Sequence, residues 1–307
     1  MKIRQLQYFI RVVEMQNITR AADSLHIAQP ALSQQISLLE EELGVKLLMR
    51  RAKGVTATTE GNLLYRHAQT ILRQVENTKS LLNKSNNQIS GKVSIGLASS
   101  TARLISLPLL TAAKKSYPSV VIEVVDIPSV DLTKLVMQGR VDFAISPDHQ
   151  PIKGLSLTPL FEEELYLLAH PDVQFKDEEV SIAEMSKLAL VLPSPPNQVR
   201  AIVDRAFLTQ HLTYNLFAEA STSAILVPLV AAGLAATVLP YSAVRPEITS
   251  GYIKHYRVSA PLKREMMLCF SETAETGVAV EEIIALTQQV IKDLLHRGLW
   301  LGCHLLN

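Results

Sequence analysis

One segment constrains the fold of this chain more than any other: residues 18–43, ITRAADSLHIAQPALSQQISLLEEEL. Apolar residues recur there at helical spacing in two short runs. They are Ala21, Ala22 and Leu25 in the first run, then Ala31, Leu32, Ile36, Leu39 and Leu43 in the second. Only His26-Ile27-Ala28 separates the two runs, and so short a connection makes two helices meet at a sharp angle. The segment therefore predicts a helix-turn-helix unit.

The second of these helices carries polar residues at its start: Gln29, Ser33, Gln34 and Gln35. A helix-turn-helix unit lays its second helix in the DNA major groove, with the first residues facing base edges. A Gln amide can bond an adenine edge, and a Ser hydroxyl can bond a base or a phosphate. Taken singly, each residue is better explained as part of an ordinary polar helix face. Their grouping favours contact with double-stranded DNA.

A small hairpin is predicted after Gly44, in residues 45–58 (VKLLMRRAKGVTAT). Two short β-prone pieces flank Lys53-Gly54 there. Arg50, Arg51 and Lys53 would be available to backbone phosphates from such a wing. An amphipathic helix over residues 2–16 is expected to pack on the helix-turn-helix unit and complete it.

The charge distribution agrees with this interpretation. Up to residue 90, Lys and Arg number 12 and Asp and Glu number 7, whereas the remainder has 18 and 22. A basic end followed by an acidic remainder fits a phosphate-contacting module joined to a part that does not bind polyanions.

A longer helix is expected after the hairpin, with Thr58 or Thr59 as its cap. Its apolar positions alternate steps of four and three, a seam that suits a partner helix. They are Leu64, Ala68, Ile71, Val75 and Leu82, with Thr78 in the same register. The stripe could instead pack on its own domain, but its place between a small unit and a larger one favours dimerisation. Residues 85–91, SNNQISG, are polar and turn-rich, as expected of a linker.

From Lys92 onward, strands alternate with helices, which predicts an α/β part with open, mainly parallel sheets in two lobes. Ligands of such folds bind beyond the carboxyl ends of strands. Ser99, Ser100 and Thr101 follow the first strand and precede a helix expected over residues 104–116. Their hydroxyls, together with helix N–H groups, can hold a carboxylate, sulfate or phosphate.

Several other classes of protein are disfavoured. Cys269 and Cys303 make neither a disulfide framework nor a metal site, and no cofactor is expected. The G-x-S-x-G, G-x-G-x-x-G and P-loop signatures of enzymes are absent. A transport receptor would share the second part but would need export and would lack the first ninety residues. The start of the chain does not read as a secretory signal, and no apolar run reaches membrane-spanning length, so a cytoplasmic location and no membrane partner are expected.

The run AADSLHIAQPALSQQISLLEEELGVKLLMR, followed by GVTATTEG and GKVSIG, resembles the LysR-type transcriptional regulators. Within that family it is most similar to the nitrogen assimilation control subgroup. The resemblance implies a winged helix-turn-helix domain (residues 1–58), a dimerising linker helix and hinge (59–90) and an effector-binding domain (91–307). That domain would be two-lobed, like a periplasmic binding protein, with lobe I at 91–161 and 265–300 and lobe II at 162–264.

The resemblance also implies roles for single residues. Gln29, Pro30, Ser33 and Gln34 match DNA-facing positions of the family, and Lys53 matches a wing position that enters the minor groove. The effector cleft would include Ser99, Ser100 and Thr101, with further contributions from Pro128, Ser146, Ser194, Asn197 and Thr222. A homodimer and a homotetramer built as a dimer of dimers, a small anionic or metabolite effector, and contact with RNA polymerase are the implied partners. Activation and repression both remain open.

Overall fold

The computed structural model describes residues 1–51, 54–82, 89–147, 151–177, 179–260, 262–272 and 277–306. For residues 50, 51, 76, 77 and 79–82 it describes the backbone alone. The chain divides near residue 87 into an N-terminal and a C-terminal unit. Most of the predicted linker at 85–91 lies outside the described residues.

The N-terminal unit is a winged helix-turn-helix, as the sequence predicts. Its elements are α1 (Ile3–Met15), α2 (Ile18–Ser24), α3 (Gln29–Leu43), β1 (Leu48–Arg51), β2 (Gly54–Ala57) and α4 (Thr59–Leu82). The two strands form the predicted antiparallel hairpin. Phe9, Val12, Ala22, Leu32 and Leu39 are almost wholly buried in one core where α1, α2 and α3 meet. The periodicity of the sequence thus located this core correctly.

Two expected core positions are wrong. Ala31 and Leu43 are exposed, whereas Leu32, Ile36 and Leu39 are buried. One residue along an α-helix turns the side chain by about 100°, so Ala31 and its neighbour Leu32 do not share a face. Leu43 is the last residue of α3 and lies beyond the packed stripe.

Local chemistry explains where these helices begin and end. The Asn17 side chain accepts a hydrogen bond from the Arg20 N–H at 3.0 Å and so caps α2. Pro30 occupies the first turn of α3, where a missing N–H costs nothing. Gly44, at a φ of 69°, ends α3 in the left-handed region that favours glycine. Thr58 Oγ1 accepts from the Gly61 N–H at 2.9 Å, so Thr58 caps α4.

The C-terminal unit alternates strands and helices. Its strands are β3 (Ser90–Ala98), β4 (Ser119–Ile127), β5 (Phe143–Ser146), β6 (Leu155–Ala169), β7 (Glu179–Val180), β8 (Ala189–Pro193), β9 (Asn215–Ala220), β10 (Thr237–Pro240), β11 (Lys254–Val258), β12 (Lys263–Ser271) and β13 (Cys303–Leu305). Its α-helices are α5 (Ser99–Ser116), α6 (Leu132–Met137), α7 (Ile182–Met185), α8 (Gln198–Thr209), α9 (Ser223–Ala231), α10 (Arg245–Thr249) and α11 (Val278–His296). The main sheet runs in the order β4-β3-β5-β12-β6-β11-β7, and β8 pairs with β9 separately.

One long strand, β6, joins two separate hydrophobic cores. Its first half pairs with β12 and belongs to a core that also contains α5 and α11. Its second half pairs with β10 and β11 and belongs to cores that contain α8 and α9. The two-lobed α/β architecture is therefore confirmed, and the lobes meet in the middle of β6.

Two expectations about this unit need correction. The sheets are not mainly parallel, because β12 pairs antiparallel with β5 and β6, and β10, β11 and β13 each pair antiparallel with β6. Helix α5 begins at Ser99 rather than five residues later. Cys303 is buried against β6, where burial and the nearby Glu163 carboxylate raise the pKa of its thiol. None of the described helices combines the length and apolarity needed to cross a bilayer.

Candidate functional site

The start of α3 is displayed on the surface of the N-terminal unit. Gln29, Pro30 and Gln34 are exposed, and Ser33 and Gln35 are half-buried. Gln29 Nε2 donates a hydrogen bond to Ser33 Oγ at 2.8 Å, so these two side chains share one face one helical turn apart. The five residues therefore form a polar surface patch at the beginning of a helix.

A buried carboxylate ties α3 to the hairpin. Glu40 Oε1 accepts hydrogen bonds from the Leu47 and Leu48 N–H groups at 2.9 and 3.2 Å. Its other oxygen accepts from Lys46 Nζ at 2.6 Å. Burial disfavours the charged form, but the Lys46 ammonium and the two amides outweigh it and hold the pKa of Glu40 below its ordinary value. The burial of Glu40 was not predicted from the sequence. Its position on the same helix face as Ile36 and Leu39 was the signal that could have indicated it.

The basic residues of the wing are only partly described. Lys53 lies outside the described residues, and only the backbone of Arg50 and Arg51 is described, in β1. Their contacts with phosphate stay a prediction.

The predicted seam on α4 is partly covered within a single chain. Leu64 packs against the helix-turn-helix core, and Ala68 is fully buried. Ile71 and Val75 are half-buried, and the side chain of Leu82 lies outside the described set. The alternative that the stripe packs on its own domain therefore holds for its first part, and the seam at Ile71 and Val75 stays a prediction.

In the C-terminal unit, a small cavity of about 50 Å³ lies at the carboxyl ends of strands from both lobes. Five of the predicted cleft residues line it: Ser99, Ser100, Pro128, Asn197 and Thr222. Thr101 and Ser146 are fully buried, and neither they nor Ser194 are among the residues that line this cavity. The structure thus brings together most of the predicted cleft.

Three helices begin at this cavity, which we call the inner cavity. Helix α5 starts after Ala98 and α9 after Thr222, and in neither does a side chain cap the first N–H groups. Helix α8 starts after Asn197, whose side chain accepts from the Val199 N–H at 2.9 Å. The first turns of all three lack acidic residues. Each helix start carries a partial positive charge, so the inner cavity is suited to an anion.

A wider cavity of about 530 Å³, the outer cavity, shares Ser99, Pro128, Thr222 and Ser223 with the inner one. Its other lining side chains include an apolar group, Ala102, Val124, Ile127, Val227 and Pro228. Its acids are engaged: Ser99 Oγ donates to Asp126 at 2.5 Å, and the Arg103 guanidinium pairs with Glu247. The two cavities share four lining residues and so form one cleft, and polar and apolar residues line both parts of it.

A buried ion pair, which was not predicted from the sequence, lies beside the inner cavity. Arg264 Nε and Nη2 donate to Glu163 Oε1 at 2.8 and 2.5 Å, and both residues are almost wholly buried. Glu163 is the middle one of three consecutive acids, a pattern typical of a solvated charge run, yet its side chain is buried. The available signal was alternation, because Glu163 is in phase with the buried residues Phe161 and Leu165.

Two family descriptions match the chain. Residues 3–62 match the family described as bacterial regulatory helix-turn-helix protein, lysR family. Residues 86–292 match the LysR substrate binding domain. Together they cover both units.

Similar proteins are regulators. The nitrogen assimilation regulatory protein nac of Klebsiella aerogenes is 38% identical over 246 residues, 80% of this chain and 80% of the relative. BenM of Acinetobacter baylyi, an HTH-type transcriptional regulator, is 31% identical over 247 residues, 79% of this chain and 81% of the relative. The similarity to nac agrees with the subgroup that the sequence resembles.

Solved structures show the same fold. A full-length OxyR variant from Pseudomonas aeruginosa has a TM-score of 0.73 at 22% identity, covering 95% of each chain. Full-length CbnR in complex with its target DNA has a TM-score of 0.72 at 20% identity, covering 94% of this chain and 100% of that one.

Proposed function

This chain belongs to the LysR family of bacterial DNA-binding transcriptional regulators, which are not enzymes, and we propose that it reads promoter DNA through the start of α3. The observation that carries the proposal is the exposed polar patch of Gln29, Pro30, Ser33, Gln34 and Gln35 on a compact winged helix-turn-helix. Side chains in that position reach base edges when the helix enters the major groove. The hairpin, with Arg50, Arg51 and Lys53, would add contacts to phosphates.

We further propose that a small metabolite, an anion in the first instance, controls the protein from the cleft of the C-terminal unit. Support comes from the three helix N-termini that meet at the inner cavity and from the position of that cavity between the two lobes. The proposed lobes are 91–161 with 265–300 and 162–264. A ligand that binds one lobe arrangement better than another would shift the population towards it.

Exposed apolar side chains support a homo-oligomer. In the C-terminal unit, Leu107 on α5 and Val121 on the edge strand β4 are 77% and 64% exposed. Leu208 on α8 and Phe217 on β9, which is also at a sheet edge, are 73% and 54% exposed. Exposed apolar residues beside an unpaired strand edge are typical of a surface that another chain covers. We propose that second copies cover these edges and that α4 pairs separately, giving a dimer of dimers.

In this proposal, each dimer places two copies of α3 in successive major grooves, and the tetramer spans two such sites. The effector would change the relative orientation of the DNA-binding pairs, the bend of the DNA and contact with RNA polymerase. Both activation and repression are compatible with this arrangement.

A gel-shift titration with the DNA upstream of the protein's own gene tests the proposed function. We expect a discrete retarded complex that unrelated DNA of equal length competes for poorly. Equal affinity for both fragments over a range of salt concentrations would count against sequence-specific binding at that site.

A further inference from the structure

The buried Glu163–Arg264 pair links both lobes at the place where they meet. The two residues face each other across the antiparallel pairing of β6 and β12. Glu163 Oε2 also accepts from Ser242 Oγ and from Trp300 Nε1, each at 3.1 Å. With the two bonds from Arg264, four donor atoms surround this one carboxylate, which is therefore held in a fixed position.

The Arg264 guanidinium is only partly used by this network. Nε and Nη2 donate to Glu163, and Nη2 also donates to Ser100 Oγ at 2.8 Å. Nη1 makes no hydrogen bond to any residue in the described part of the chain. Arg264 is 5% exposed and lines the inner cavity together with Ser100. A buried guanidinium thus has one end held by Glu163 and still has donors available at the cavity wall.

Stability alone does not account for this pair. Two charges lose their hydration on burial, and a buried ion pair is often no more stabilising than apolar residues of the same volume. An anchored guanidinium does, however, offer fixed donors to a planar oxyanion, the geometry that favours Arg over Lys at carboxylate sites. Glu163 neutralises Arg264, while the starts of α5, α8 and α9 add partial positive charge without an acid among the described residues that line the inner cavity.

We propose that Arg264 and Ser100 bind the carboxylate of the effector, and that the effector is a monocarboxylate with an apolar body. This rests on the proposed effector control and names its ligand class. The inner cavity of about 50 Å³ has room only for a small group, and the outer cavity of about 530 Å³ takes the remainder. The apolar wall at Val124 and Val227 suits a hydrocarbon body. Asp126 and Glu247 outnumber Arg103 among the charged residues of the same wall, so its net negative charge disfavours a second carboxylate.

The test compares carboxylates with their neutral amides on the full-length protein. Hexanoate and phenylacetate are titrated by calorimetry against hexanamide and phenylacetamide. We expect the carboxylates to bind at least about tenfold more tightly, the difference that 1.4 kcal/mol gives. Equal affinity within each pair, or no binding of either carboxylate to the wild-type protein, would overturn the proposal.

Variants assign the preference to Arg264. Arg264→Lys retains a charge for Glu163 but loses the planar fork, so we expect it to lose about tenfold in carboxylate affinity and nothing in amide affinity. Ser100→Ala should weaken carboxylate binding in the same direction, and it provides a second reading if Arg264→Lys folds poorly. Ser242→Ala is the matched control, because Ser242 also bonds Glu163 but does not line the inner cavity.

Two further outcomes separate this inference from the proposed function. Wild-type carboxylate affinity in both Arg264→Lys and Ser100→Ala would refute the role of these residues. If the gel-shift complex with upstream DNA is intact in those same preparations, the regulator assignment stands. If the wild-type protein forms no such complex, the proposed DNA site is refuted, whatever affinity the protein has for the carboxylates.

Discussion

At the start of α3, a hydrogen bond within the helix orients two of the polar side chains that we propose contact DNA. The Gln29–Ser33 hydrogen bond uses one amide proton of Gln29 and one lone pair of Ser33. The carbonyl oxygen of Gln29 and the hydroxyl proton of Ser33 remain available to a base edge or phosphate. Exposed Gln34 lies beside them and has a full set of donors and acceptors. The patch can therefore exchange hydrogen bonds with DNA without first breaking a buried network.

Truncating these side chains should weaken operator binding and leave the fold unchanged. We expect Ser33→Ala and Gln34→Ala each to lower affinity by about 1–3 kcal/mol if the side chain contacts a base. Quantitative footprinting of the upstream DNA measures the loss, and thermal unfolding checks the fold. Ser37→Ala is the matched control, since Ser37 is exposed on α3 one turn further on. Footprints unchanged in Ser33→Ala and Gln34→Ala would show that these residues do not read the operator.

Between elements, Glu40 decides how the hairpin is attached to α3. One carboxylate oxygen accepts from the backbone amides of Leu47 and Leu48, where β1 begins, and the other accepts from Lys46. Thr58 reinforces the same corner, because its hydroxyl donates to the Lys46 carbonyl at 2.7 Å and also caps α4. The wing is thus held at a fixed angle to the recognition helix by side chains outside the hydrophobic core.

Glu40→Gln should loosen the wing, and the effect should depend on pH. The folded pKa of Glu40 is lowered, so its stabilisation is complete above the unfolded pKa, about 4.3, and is lost as pH falls through the folded value. We expect Glu40→Gln to cost about 1–2 kcal/mol at pH 7. Hydrogen exchange at the Leu47 and Leu48 amides measures the local opening free energy.

The pH series provides the decisive comparison. The difference between the wild-type protein and Glu40→Gln should shrink as the pH is lowered below about 4. Glu41→Gln, an exposed neighbour on α3, should behave like the wild-type protein throughout. A difference that persists unchanged at low pH would mean that the charge of Glu40 is not what holds the wing.

For the whole molecule, exposed apolar surface marks where other copies are expected. The large exposed apolar side chains of the C-terminal unit include Val121 and Phe217, which lie on the edge strands β4 and β9. On α4, Ile71 and Val75 continue the seam, and the chain itself covers them only in part. Two separate apolar surfaces are what an assembly built in two stages requires.

Charged substitutions at the two surfaces should stop assembly at different stages. Val121→Glu or Phe217→Glu should convert tetramers to dimers, because a charge in a buried interface loses its hydration. Ile71→Glu should interrupt pairing through α4. Analytical ultracentrifugation of the full-length protein distinguishes the species, and Leu234→Glu, an exposed site away from these strands, serves as the control. Tetramers in all three surface variants, as in the control, would show that neither surface is the interface.

Local periodicity was enough to predict the elements of the N-terminal unit and two of the cavity residues. The 3.6-residue spacing identified α1 to α4, and the strand–helix junction after β3 identified Ser99 and Ser100, which line the inner cavity, whereas Asn197 and Thr222 came from the family resemblance. These features depend on neighbours in sequence, since caps, turns and amphipathic faces are set within a few residues.

The tertiary structure alone decided which distant residues meet. Glu163 and Arg264 are 101 residues apart and become partners only through the register of β6 and β12. The sequence shows a carboxylate at Glu40 but not its partners, because its hydrogen bonds with the Leu47 and Leu48 amides form only when the hairpin folds back on α3. Periodicity places a side chain on a face of its own element, whereas pairing register and packing determine what lies opposite that face.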